Sequence, residues 1–341
     1  MQRVAVVYVG IDFKRIDEIN LGNQDFTVEG FLWFKWQDEY LRFRGKDRFM
    51  TFWNGILGSY DKLDLISEGT EGKVRHVAYR LGGKFKKDYW LRQFPFDVQA
   101  LTVELSISDY DTDRVLLVAD RAHLHSAQDM AGQDILPAGY ELTAIDHSSG
   151  TRPFDSSLGH DVKAGHRSEF SVYQASMVVQ RMPFPYFLKL FLPLFILIVV
   201  SLTAYLVPLG DLSVKTSLGL TTLLSAIVLH LSQIQSMPNV GYLTRIDYCF
   251  IFAYTIMMFN IVASIYRMRV ARSRSVEYAI FFGRVVGLLI ASNVLIVSTL
   301  LTIPGISMRW SVWITCAHLI AIPIFLFLKR PQSVKLTSVI K

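Results

Sequence analysis

The sequence predicts an α+β membrane protein: an extracellular antiparallel β-sandwich followed by a transmembrane four-helix bundle, with the course of a fifth C-terminal apolar segment left open. Two observations carry this prediction. The chain has 341 residues, 51% of them apolar, and the apolar residues are unevenly placed. Up to about Arg181 charges recur every few residues, whereas long apolar runs dominate from Tyr186 onward. Such a shift marks a domain boundary and a change of solvent. The first part also alternates apolar and polar residues as strands do, and the second does not. The expected domains are residues 1–181, 182–303 and 304–341.

In the first part, short runs at 4–9, 27–36, 74–81, 101–107, 114–118 and 169–179 are rich in β-branched and aromatic residues. Turn-forming stretches such as 69–72 and 82–83 are read as separating them, which gives the many short strands of a sandwich. Residues 146–165, rich in Ser, Gly, His and Asp, read as a long loop of the kind that binds ligands or moves. The first strand-like run begins at Val4 with no export signal before it, so such a signal is expected to have been removed. Cys249 and Cys316 both lie in apolar runs, so no disulfide framework is expected in the sandwich. There is no H-E-x-x-H, G-x-S-x-G or phosphate-cradling glycine loop, and an enzyme is not expected. Asp109, Asp111 and Asp113 alternate, and Asp120 follows. That run suggests a metal site and Ca2+ modulation. Arg114, however, stands where a calcium loop needs Gly, and a solvated sandwich loop is the alternative. No other cofactor is expected.

Apolar runs at 186–207, 212–236, 248–266, 278–303 and 310–328 each approach the ~20 residues that cross a bilayer as a helix. The second run differs in being rich in hydroxyl groups. Ser217, Thr221, Leu224, Val228, Leu231 and Gln235 follow one another at spacings of four and three, which puts them on one helical stripe. The stripe is hydroxylic at its start, apolar in its middle and an amide at its end. It would line a water-filled pore closed by a hydrophobic constriction, or form a packing seam between helices; spacing alone leaves both open. Arg267, Arg269, Arg272 and Arg274 follow the third run and place that linker on the cytoplasmic side, hence the polar part outside. If the fifth run spans, the basic tail of Lys329, Arg330, Lys335 and Lys341 lies inside as well. The net charge of +6 thus reads as membrane flanking, with the lipid bilayer as partner and no nucleic acid. Asp211, just before the second run, would favour cations at the cytoplasmic mouth of a pore, or cap the helix. Lys215 points off the stripe.

The run Phe94-Pro95-Phe96-Asp97-Val98-Gln99 resembles the signature loop of the pentameric ligand-gated ion channels, the Cys-loop receptor superfamily. Trp36-Gln37-Asp38 with Leu41-Arg42-Phe43 is similar to the second strand of that family. Arg181, Pro183, Tyr186 and Pro193 resemble its junction into the first membrane helix, and residues 215–238 its pore helix, with Leu224 at the leucine gate. The resemblance covers roughly residues 1–303. Lys87 and Leu101 stand where eukaryotic members carry the loop cysteines, and the linker after the third helix is about a dozen residues; both features resemble prokaryotic members.

The resemblance implies a homopentamer in the plasma (inner) membrane that conducts permeant ions and is gated at subunit interfaces. It assigns the principal ligand face to Asp109, Tyr110 and Phe154, and the complementary face to Phe31 and Tyr79; the alternative for each aromatic ring is the sandwich core. An aromatic wall suits a small cationic agonist. Protons are a second trigger, since His76, His123, His125, His147, His160 and His166 all lie in the polar part. Coupling to the pore is assigned to Asp25, Pro95, Asp97, Arg181, Pro238 and Tyr242. No Pro-Ala pair of the anion-channel type precedes Lys215, so cations are the expected permeant species. The rival readings are a non-conducting membrane-anchored sensor and a transporter, for which Asp247 is the nearest intramembrane carboxylate.

Overall fold

The computed structural model describes residues 4–38, 41, 50–56, 62–130, 133–154, 168–208, 210–273 and 276–302. Arg42, Phe43, His160, His166, Arg274, the fifth apolar run and the basic tail lie outside the described residues. The chain divides into two units. One comprises Met1–Leu91, Phe96–Pro183 and Ser236–Asn239; the other comprises Arg92–Pro95, Phe184–Gln235 and Val240–Lys341.

The first unit is a sandwich of two sheets. Its strands are β1 (Ala5–Asn20), β2 (Asp25–Trp36), β3 (Met50–Phe52), β4 (Lys62–Glu71), β5 (Val74–Lys86), β6 (Val98–Ile107), β7 (Val115–Ala119), β8 (Tyr140–Phe154) and β9 (Ser168–Arg181). One sheet runs β4-β5-β2-β1-β7 and the other β3-β6-β9-β8. Pairing is antiparallel throughout except between β1 and β7, which run parallel. The alternation in sequence is the alternation in burial. Phe26, Val28, Leu32 and Phe34 of β2 and Leu101, Val103 and Leu105 of β6 are fully enclosed. So are Tyr173, Ala175, Met177 and Val179 of β9. Each large apolar side chain so buried contributes about 1.5–3 kcal/mol.

Three sequence expectations are corrected here. Gly82 and Gly83 form no turn; they lie inside β5, opposite Glu29 and Val28 of β2. Gly69 likewise belongs to β4, and the turn falls at Gly72, whose φ of 62° suits glycine. Residues 146–154 are strand, not loop. They continue β8, which pairs with β9 as far as Phe154↔Ser168. This segment is an edge strand with both faces largely solvated, so ladder hydrogen bonds hold it and no apolar alternation marks it.

The second unit is helical. A short helix α1 (Pro183–Tyr186) passes through a π-helical turn into α2 (Leu192–Leu202). Then come α3 (Leu212–Gln235), α4 (Arg245–Ser273) and α5 (Val276–Thr302). Among the described residues, four segments are long and apolar enough to cross a membrane: Pro183–Tyr205, Leu212–Gln235, Arg245–Arg272 and Val276–Val294. The third helix is longer than expected. Arg267, Arg269 and Arg272 are not in a linker of a dozen residues but on the last turns of α4, and α5 starts at Val276. Buried Met268 and Val270 keep those turns packed. Arg267 is buried too, donating to the carbonyls of Ala279 and Tyr205.

His147 braces Tyr173, the residue that ties the two sheets together. Its ring stacks on Tyr173 and its Nδ1 lies 2.8 Å from the Tyr173 hydroxyl. That hydroxyl oxygen accepts from the Ile11 N–H, which leaves its own proton able to reach Nδ1. Burial pushes the His147 pKa down from the usual histidine value. Stability from this group is present in full above the unfolded histidine pKa of about 6.5 and is lost as pH falls through the lower folded value. The unfolding temperature of the full chain should therefore drop as pH falls below that point, and drop less in His147→Phe. Identical pH profiles for the two proteins would remove His147 from the account.

Candidate ligand wall and pore helix

Helix α3 has two chemically different faces. Lys215, Gly219, Thr222 and Ala226 are buried, and Gly219 lies so close to Ile261 of α4 that a Cβ would come within 2.5 Å of it. All six stripe residues, Ser217, Thr221, Leu224, Val228, Leu231 and Gln235, are exposed on the opposite side. Leu224 is 63% exposed and Val228 59%, so this face of α3 is left to lipid, to a neighbouring helix or to a water-filled path. The stripe is therefore not the seam that packs α3 into its own bundle. Asp211 is exposed at the start of this helix, whereas Lys215 is turned inward.

His230 sits off the stripe and stacks on Phe250 of α4 at 4.2 Å. Its ring nitrogens reach the Tyr254 hydroxyl and Asp247 Oδ1, each at 3.0 Å. Asp247 Oδ2 in turn accepts from the backbone N–H and hydroxyl of Thr244, a capping box at the start of α4. These contacts give partners to both carboxylate oxygens of Asp247, the nearest candidate for a transporter reading.

In the sandwich, Asp97 and Arg181 form a buried pair, with side chains 2% and 1% exposed. Arg181 Nε donates to Asp97 Oδ1 at 2.9 Å, and Gln99 Nε2 donates to Oδ2 at 2.9 Å. The guanidinium also lies over the Tyr140 ring at 4.7 Å. Asp25 is buried near the start of β2, and its carbonyl accepts from Tyr89 Oη at 2.8 Å. Pro95 and Pro238 are buried. Tyr242 lies under Arg92 within the second unit, 5.5 Å from the guanidinium.

Two aromatic surfaces face outward from the sandwich. On the β3-β6-β9-β8 sheet, Phe154 lies 6.2 Å from Trp53, and Phe170 meets Phe154 edge-on at 5.9 Å. Trp53 follows β3 and donates its indole N–H to Ser106 Oγ at 2.9 Å. The backbone N–H of Thr112 bonds the carbonyl of Glu169, which fixes the Asp109–Asp113 loop to the start of β9. Tyr110 in that loop is half-buried. On the other sheet, Phe31 is half-buried and shares the outward face of β2 with Trp33 and Lys35. Trp33 lies across Gly10, where any Cβ would come within 2.1 Å of the indole. It donates to Asp120 Oδ2 at 3.0 Å, beside Lys35 at 3.0 Å and His123 on Oδ1 at 3.1 Å. Burial opposes ionisation of Asp120, but hydrogen bonds from Trp33, His123 and Lys35 win and hold its carboxyl below the usual range.

Two site expectations are corrected. Tyr79 is 3% exposed and belongs to the core, because the strand period turns it inward with Val77 and Leu81. Asp109, Asp111 and Asp113 do not converge: among the described residues no group of three or more acidic, His or Cys side chains could hold a metal ion. The loop closes tightly instead, with Arg114 and Val115 N–H groups both on the Asp111 carbonyl. Trp53 was missed in the sequence because it stands apart from every motif, and its neighbours in space are about 50 and 100 residues away.

No family model matches the chain. Over 277 residues it is 20% identical to the gamma-aminobutyric acid receptor subunit alpha-2 of Rattus norvegicus, covering 75% of this chain and 59% of that protein. It is 25% identical over 259 residues to the acetylcholine receptor subunit alpha-type deg-3 of Caenorhabditis elegans, covering 68% and 44%. With the human gamma-aminobutyric acid receptor subunit rho-3 it shares 24% over 263 residues, covering 71% and 53%. The chain is a distant relative of the Cys-loop receptor subunits. It spans about half the length of the relatives it matches. Leu101, one of the two residues that the resemblance sets at the loop cysteine positions, is fully buried.

The buried pair makes a quantitative expectation. Removing one partner strands the other charge, which costs about 3–5 kcal/mol. Arg181→Gln should lower the stability of the full chain by that order, and Arg181→Gln combined with Asp97→Asn should recover part of it. Thermal unfolding of the purified protein checks this; a single replacement that leaves the unfolding temperature unchanged contradicts it.

Proposed function

We propose that the chain is one subunit of a homopentameric ligand-gated ion channel of the plasma membrane. The observation that supports this most is the α3 face that exposes Ser217, Thr221, Leu224, Val228, Leu231 and Gln235 together while the opposite face packs. A ring of such helices would enclose a hydroxyl-lined, water-filled path. Its Leu224, Val228 and Leu231 rings would close it by dewetting. The reading favours cations, because the exposed charge at the start of the helix is Asp211 and the nearby Lys215 is turned away.

The ligand site of this reading lies at the Trp53–Phe154 surface, with Tyr110 beside it and Phe31 supplied from the complementary face of a neighbouring copy. An aromatic surface of this kind suits a small cation. Coupling would use the buried Asp97–Arg181 pair, and Asp25, Pro95, Pro238 and Tyr242 are the further residues assigned to it by the resemblance. Relatives named as gamma-aminobutyric acid and acetylcholine receptor subunits accord with a ligand-gated channel and leave the agonist open.

Single-channel recording in bilayers tests the reading directly. Leu224→Ser should prolong openings or lower the agonist concentration needed by about tenfold or more, since it removes most of a buried-type apolar contact at the constriction. Asp211→Asn should shift the reversal potential under a salt gradient towards less cation preference. Absence of any unitary current across amine and pH panels would favour the non-conducting sensor instead.

A further inference from the structure

The π-face of Trp53 already carries a cation. The Arg152 guanidinium carbon lies 4.8 Å from the indole centroid, where the ammonium of a ligand held by cation–π attraction would sit. The arrangement is braced from several sides. Arg152 donates to Glu104 Oε2 at 3.0 Å, and Gln174 Nε2 donates to the other carboxylate oxygen at 3.2 Å. The Trp53 ring cannot turn away easily: its indole N–H is on Ser106 Oγ, and its backbone N–H is on the Glu104 carbonyl at 3.0 Å. Phe154 closes one flank of the ring.

Two cations on one aromatic face repel each other, so a second cannot join while Arg152 stays. Arg152 is nonetheless easy to move. Its side chain is 50% exposed, its strand β8 is the edge of the sheet, and its ion pair with the partly exposed Glu104 is of the weak surface kind. When the guanidinium swings away, the Trp53 face and the Glu104 carboxylate are left facing the same space, one offering π-density and the other negative charge.

We propose that Arg152 is a built-in competitor for the cation subsite on Trp53, so that a small organic cation binds only by displacing it. This rests on the ligand-gated reading of the same surface and adds its regulation. The resting wall is self-occupied, and the strength of the Arg152–Glu104–Gln174 hold sets the threshold for binding. Ligands that also reach the Phe154 ring displace the guanidinium more readily than ligands that carry charge alone.

The test uses the full chain in neutral-lipid nanodiscs and isothermal titration with tetramethylammonium, a probe that has charge and methyl groups but no hydrogen-bond donor. Arg152→Gln keeps the length of the side chain and removes its charge. It is expected to bind the probe about tenfold more tightly than wild type, the scale of one displaced cation–π contact. Arg152→Lys should behave like wild type, and adding Trp53→Leu to Arg152→Gln should abolish the gain. Unchanged or weaker binding by Arg152→Gln overturns the proposal. So does acetate binding to wild type that Arg152→Gln loses, because Arg152 would then be an anchor for an anionic ligand. Parallel bilayer recordings separate the two readings. A binding gain without currents keeps the competitor and removes the channel, whereas currents with unchanged binding do the reverse.

Discussion

A backbone in hydrocarbon must satisfy its polar groups within its own helix, whereas a backbone in water can pair across strands or with solvent. That constraint divides this chain near residue 183. On one side, strands such as β2, β6 and β9 hide one row of side chains and turn the other row outward. On the other, the membrane-length helices satisfy their own hydrogen bonds, which frees their side chains to differ from face to face. Helix α3 uses this freedom most. It packs through small or stem-like residues, Gly219, Thr222, Ala226 and Lys215, and turns its hydroxyls and branched apolar groups outward.

The sandwich meets the complementary problem. Aromatic rings stabilise its interior, yet rings are also what an exposed cation-binding wall needs. The strand period separates the two uses. Tyr79 and Phe34 fall on inward positions and are core, whereas Phe31, Trp33 and Phe154 fall on outward positions and remain reachable. Outward rings still need bracing, and polar or aromatic neighbours provide it. Ser106 holds Trp53, Asp120 holds Trp33, and Phe170 holds Phe154. The same logic explains why charged groups fall into two classes. Asp97 and Arg181 are sealed from water and satisfied by geometry, whereas Arg152 and Glu104 stay half-solvated and can exchange partners.

Much of this was legible in the order of residues, because the informative signals are local. The stripe on α3 is a matter of spacing along one helix, and its outward face follows. Alternation marked β2, β6 and β9 for the same reason. Legibility failed where a strand is held by its ladder and not by apolar burial, as in residues 146–154, and where a glycine pair sits inside a strand, as in Gly82 and Gly83. It failed again at the end of α4, where arginines that resemble a linker are carried on helix by the apolar residues between them.

The sequence by itself determined the change of solvent, the period of each strand and helix, and therefore which residues share a face, since these depend only on chain geometry and neighbouring side chains. The tertiary structure decided which distant residues meet. It joined Trp53 to Phe154 and Arg152, paired Asp97 with Arg181, sent Tyr79 to the core, and kept Asp109, Asp111 and Asp113 from converging. The physical reason is that such contacts depend on how two sheets pack and on which strands become neighbours. No run of adjacent residues encodes that alone.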